Sequence, residues 1–113
     1  MNLQQSKAAQ ENMVAWLSDP HELGRRPNRI EYAGDFELHG MRYYIFKFKP
    51  CFLGSWRIGV SGGYTEDTLA PCGHTFSDMK KYNAATAKND CIKMVEMIRA
   101  YWMKQAKMLT EQN

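Results

Sequence analysis

The strongest constraint in this chain is its final quarter, where residues 84 to 109 read as one helix with Ala87, Cys91, Val95, Ile98, Trp102 and Leu109 on one side. Spacings of three, four and seven bring these groups onto a single apolar stripe, and such a stripe must be buried against something. Upstream lies a run in which aromatic and charged residues alternate with the period of β-strands, preceded by a shorter helical segment. The order α-β-β-β-α predicts an α+β domain: a three-stranded antiparallel meander with both long helices packed on one face. Trp102 is then expected between the even-numbered residues of the second and third strands, where truncating it should cost roughly 3 to 5 kcal/mol.

At 113 residues the chain is expected to form one domain, residues 1 to 113, with a single core. No apolar run is long enough to cross a bilayer, and the start of the chain (Asn2, Gln4, Gln5, Ser6, Lys7) lacks the apolar stretch of a signal peptide. The expectation is a cytosolic protein without membrane association. Its three cysteines, Cys51, Cys72 and Cys91, leave one unpaired in any disulfide scheme and form no C-x-x-C pair, so reduced thiols are expected.

The first helix is predicted over residues 6 to 17, with Ala9, Met13, Trp16 and Leu17 on one face, and Pro20 stops it. Asp19-Pro20-His21-Glu22 has the form of a short helix start that Gly24 closes. The strands follow over residues 29 to 38, 42 to 49 and 55 to 64, with Ile30, Tyr32, Phe36 and Leu38, then Tyr44, Phe46 and Phe48, then Trp56, Ile58 and Val60 facing inward. Tyr43 and Ile45 make the outer face of the second strand less polar than usual.

Register follows from parity. A three-residue loop His39-Gly40-Met41 sets residue 38 opposite 42 and Glu31 opposite Lys49, a favourable pair worth roughly 0.2 to 1 kcal/mol. The second hairpin is expected to set Phe48 opposite Trp56, Phe46 opposite Ile58 and Lys47 opposite Arg57, the last pair being mildly repulsive. Residues 65 to 83 are the least regular stretch, long for a loop in a compact domain, with a helical turn at residues 77 to 82 and plain loop equally open.

The net charge of +3 is unevenly placed. Residues 41 to 64 hold Arg42, Lys47, Lys49 and Arg57 and no acid, whereas basic and acidic groups nearly balance on either side. Lys47, Lys49 and Arg57, with Lys80 and Lys81, are therefore candidates for holding phosphates or nucleic acid, against the plainer reading of a solvated strand face. The element order, with Lys80, Lys81 and Lys88 around the start of the last helix, resembles the layout of double-stranded RNA-binding domains, which place lysines there to meet phosphates across a groove. The likeness covers topology and these three lysines, and a long insertion separates strand and helix where that family has a short connection.

Cys72 and His74 are the sharpest candidates for catalysis, as a thiolate beside a base. A zinc site would need His21, His39, Cys51 or Cys91 brought near them, and Cys91 on the apolar stripe reads as core, so no metal and no cofactor are expected. Gly59, Ser61 and Gly63 leave one stripe of the third strand nearly bare, which admits another backbone. Either residues 65 to 83 cover that stripe or a second chain does, with Tyr43 and Ile45 in the same interface. The surplus methionines of the last helix (Met94, Met97, Met103, Met108) offer a second contact surface. The functional expectation is a small non-enzymatic binding or protein-interaction module that forms a homodimer. The alternatives are a nucleic-acid-binding or phosphate-binding domain and an enzyme using Cys72 and His74.

Overall fold

The computed structural model describes residues 2–66, 68, 69, 71 and 75–111. Helix α1 (Leu3–Ser18) is followed by strands β1 (Arg29–Leu38), β2 (Met41–Lys49), β3 (Arg57–Tyr64) and β4 (Thr75–Lys81), and by helix α2 (Ala87–Glu111). The strands form one antiparallel sheet in the order β1-β2-β3-β4. The α+β class and the two helices agree with the sequence reading. The fourth strand does not: it occupies the later part of the stretch expected to be a loop or a helical turn. Phe76 and Asp78 pair with Val60 and Ile58 while Ser77 faces Gly59, so a weak two-residue alternation in Phe76-Ser77-Asp78 became a strand once β3 offered its open edge.

The start of α1 is set by Asn2, whose Oδ1 accepts the Gln5 N–H at 3.1 Å. Pro20 lies just beyond its end. The following turn is held by Asp19, whose carbonyl accepts from Glu22 and Gly24. Gly24 has φ 72°, a left-handed conformation that glycine takes without strain.

Both hairpins differ from the expected register by one residue. His39 and Gly40 have φ of 53° and 77°, so the first turn is a two-residue loop whose twist matches the strands, with Leu38 opposite Met41. A bulge between Tyr32 and Gly34 shifts the pairing again, so that Glu31 faces Lys47 and Arg29 faces Lys49. In the second hairpin Ile45 pairs with Val60, Phe46 with Gly59, Lys47 with Ile58 and Phe48 with Arg57. The repulsive Lys47–Arg57 pair therefore does not form.

A one-residue slip moves a strand's side chains to the other face, and here it decides the architecture. Ile58 and Val60 lie on the face of Phe36, Tyr43 and Ile45, where Ala87, Cys91 and Val95 of α2 cover them. Tyr44, Phe46, Phe48 and Tyr64 lie on the other face, under Ala9, Met13 and Leu17 of α1. The helices thus pack on opposite faces, not on one, because β2 reads Tyr43-Tyr44-Ile45-Phe46 with apolar side chains at both parities.

Only the first part of α2 is buried in this way. Its buried residues are Ala87, Cys91 and Val95, while Trp102 is 52% and Leu109 64% exposed. At about 1.5 Å per residue the helix is about 37 Å long, and it runs past the sheet along a molecule 50 Å in its longest dimension. Trp102 is therefore not in the core. No helix among the described residues is long and apolar enough to cross a membrane.

Candidate functional site

One concavity follows directly from the placement of the helices. With α1 on one face and α2 on the other, both overhang the open edge of β4. The space between them is an apolar groove of about 770 Å³. Trp16 of α1 forms one wall, Phe76 the floor, and Met94, Met97, Tyr101 and Trp102 the other wall. The α2 spacing of three, four, seven and eight turns these four side chains to one side. Trp16 is fixed there by a hydrogen bond from its Nε1 to Ser77 Oγ at 3.0 Å, and Ser77 Oγ in turn donates to Glu22 Oε2 at 3.2 Å. Of these wall and floor residues the sequence reading marked Met94 and Met97 as a contact surface and put Trp16 and Trp102 on apolar helix faces, whereas Phe76 became visible only with β4 in place.

A second hollow of about 510 Å³ lies at the far end of the sheet between α1 and the start of β2. Several of its polar groups bond to one another. Tyr44 donates to Gln5 Oε1 at 2.9 Å, the Gln5 amide donates to the carbonyls of Thr65 and Thr68, and Arg42 is bonded to Asp35 at 2.9 Å. Burial pushes the Tyr44 and Tyr64 phenols above their ordinary range. Nothing in this set aims an unsatisfied group into the hollow.

The five basic candidates are divided between the two faces of the sheet. Lys47 and Lys49 stand on the α2 face over the Trp56 ring, with Nζ 4.8 and 5.6 Å from its centroid, and Arg29 completes the group at 5.2 Å. Lys47 also lies 5.5 Å from the Tyr82 ring. Arg57 is on the α1 face and donates to the Met79 carbonyl, while its Nε is buried without a hydrogen-bond partner among the described residues. Lys81 is the Cα partner of Arg57. Lys80 is bonded to Asp90 at 2.9 Å, and this contact, with the Thr86 hydroxyl, holds the Asp90 carboxyl below its usual range. One of the three lysines that the RNA-binding layout would aim at phosphates, Lys80, thus fastens β4 to α2. Arg29 and Trp56 were not among the candidates, since Trp56 was expected in the core and is half-buried beneath cations instead.

The expected interface on β3 also needs correction. Tyr43, Ile45, Gly59, Ser61 and Gly63 are all buried within the single chain. The bare stripe is covered by α1: a Cβ on Gly59 would lie 2.6 Å from Met13 Cε and 3.2 Å from the Phe76 carbonyl. The close approach at Gly59 is real, and its occupant there is the first helix, while the Ser61 hydroxyl of the same stripe bonds to Thr75 of β4 at 2.8 Å.

Cys72 and His74 lie outside the described residues. Cys91 sits in the core with Sγ 3.9 Å from the Gly59 carbonyl, and burial pushes its thiol up to about 12, so it stays protonated and inert. Among the described residues no group of three or more His, Cys, Asp or Glu side chains is placed to hold a metal ion. Compared with family models, with curated proteins and with solved structures, the chain matches none of them.

Proposed function

We propose that this protein is a small non-enzymatic interaction module that associates with a second copy of itself through the outer half of α2 and the groove beside β4. The observation that carries this reading is the contrast along α2: burial stops at Val95, yet Met97 is 72%, Tyr101 53% and Met103 63% exposed. A large side chain offers about 150 to 250 Å², so each of these leaves on the order of 100 Å² of apolar surface. With Trp102, Met108 and Leu109 exposed on the same segment, the helix half carries several hundred Å², the scale of the ~800 Å² that each partner contributes to a standard interface. Symmetric pairs are the commonest assemblies, and one patch used twice needs no second protein. A cytosolic setting belongs to the same proposal and is supported by the free thiols of Cys51 and Cys91.

Sedimentation of the full chain at high micromolar concentration tests it. A dimer is expected, and Met97→Glu combined with Met103→Glu should return it to a folded monomer, because both side chains are exposed and lie outside the core. A parent chain that sediments as a monomer overturns the reading.

A further inference from the structure

The β2–β3 connection presents an apolar tip on a cationic base. The Gly54 N–H donates to the Cys51 carbonyl at 3.1 Å, closing a tight turn with Phe52 and Leu53 at its two corners. Phe52 is 77% and Leu53 91% exposed. One exposed leucine is ordinary on a protein surface. Here two adjacent large side chains are held out together, since Arg25 donates to the Pro50 carbonyl at 3.0 Å and ties the root of the turn to the α1–β1 connection.

Around that root stand Arg29, Lys47 and Lys49, all within 6 Å of the Trp56 ring. Among the described residues the ion pair in this group is Arg29 with Glu31 at 3.6 Å, one carboxylate against three cations. The antiparallel meander puts the starts of β1 and β3 and the ends of β2 and β4 at the same end of the sheet, so Arg57 and Lys81 add to its positive charge. Asp35 and Glu37 lie toward the opposite end, paired with Arg42.

We infer that this end of the domain docks on an anionic lipid surface, with Phe52 and Leu53 entering the interface and Arg29, Lys47 and Lys49 meeting lipid phosphates. The chemistry discriminates between polyanions. A nucleic acid would use the cations, but Leu53 can neither stack on a base nor hydrogen-bond to one. An anionic bilayer uses both halves: the charges are drawn to the headgroup layer, and the turn is short enough for its two apolar corners to reach the acyl boundary beneath it. Trp56, half-buried at the root of the turn, adds a ring of the kind that favours the headgroup region. The inference is independent of self-association through α2, which uses another surface.

The test is co-sedimentation of the full chain with vesicles of phosphatidylcholine alone and of phosphatidylcholine containing phosphatidylserine. Binding is expected only to the anionic vesicles and should weaken as salt rises. Phe52→Ser combined with Leu53→Ser should lower that affinity about tenfold or more with the melting temperature unchanged, since both residues lie outside the core. Lys49→Glu should weaken binding as well. The inference is overturned by a chain that ignores both vesicles, by binding that the double serine variant retains in full, or by salt-sensitive binding to duplex RNA with none to vesicles.

Discussion

The two faces of the sheet share the central strands β2 and β3 and are covered in opposite ways. On the α1 face, Tyr44, Phe46 and Phe48 meet Ala9, Met13 and Leu17, and the missing side chain at Gly59 lets Met13 reach the strand backbone. On the α2 face, the small residues Ala87, Cys91 and Val95 cover Tyr43, Ile45, Ile58 and Val60. Beyond Val95 the helix carries its bulkiest side chains into exposed positions. An apolar stripe of constant spacing is therefore not evidence of burial along its whole length. A helix buries what lies over the sheet, and the remainder of α2 is surface, available to another molecule.

The comparison is broken most severely at Phe46, which is fully buried on the α1 face. Phe46→Ala should cost about 3 to 5 kcal/mol and Met13→Ala about 2 to 5 kcal/mol, each a large share of the stability of a small domain. Chemical denaturation measures both, and a loss below about 1 kcal/mol at either position would show that α1 is not the cover of that face.

High pH acts on both faces together. The phenols of Tyr43, Tyr44 and Tyr64 are all pushed above their ordinary value of 10.0, with burial the largest cause. The unfolded chain ionises first and holds fewer protons, so stability is present in full below about pH 10 and falls as pH rises toward the folded values. Melting temperature should hold level to about pH 9 and then drop. Tyr43→Phe should remove the α2 face's share of that drop and Tyr44→Phe only part of the α1 face's, since Tyr64 lies there too, whereas a flat profile to pH 11 would contradict the burial of these rings.

Trp102→Ala sharpens the contrast from the other side. With its side chain half exposed, the substitution should change the stability of the monomer by less than about 1 kcal/mol while weakening the proposed self-association. A collapse of the fold instead would mean that the outer half of α2 is part of the core. The smallest effect is expected at Lys80, whose contact with Asp90 leaves the lysine about half exposed. Lys80→Ala should cost under about 1 kcal/mol and lose its effect at high salt. Should it cost several kcal/mol, this tie would be holding β4 in the sheet.

Much of the fold was legible before the structure. The apolar periods of α1 and α2, the stop at Pro20 and the three strands over residues 29 to 64 each follow from local pattern, because a helix or strand displays its own period whatever it packs against. Tyr44, Phe46 and Phe48 were readable as core for that reason. The candidate sites were less legible. Tyr43 and Ile45 were visible as an unusually apolar outer face, and only the position of α2 turned that face from an interface into a core. Trp56 shared the parity of Ile58 on β3, but not the face of Phe48, so the cation cluster around it was hidden behind a register error of one residue.

What the sequence by itself determined is the set of elements and the double-sided apolar character of β2. Both are local properties of which side chains follow which. The tertiary structure alone decided the register, since His39 and Gly40 close a two-residue turn and a bulge at Tyr32/Gly34 corrects the pairing after it. From the register follow the opposite placement of the helices and the recruitment of Thr75–Lys81 as a fourth strand. It also brings Arg29, Lys47 and Lys49 together around Trp56 beneath the exposed Phe52-Leu53 tip. These are relations between residues far apart in the chain, and local side-chain preferences do not encode the one-residue offsets on which they depend.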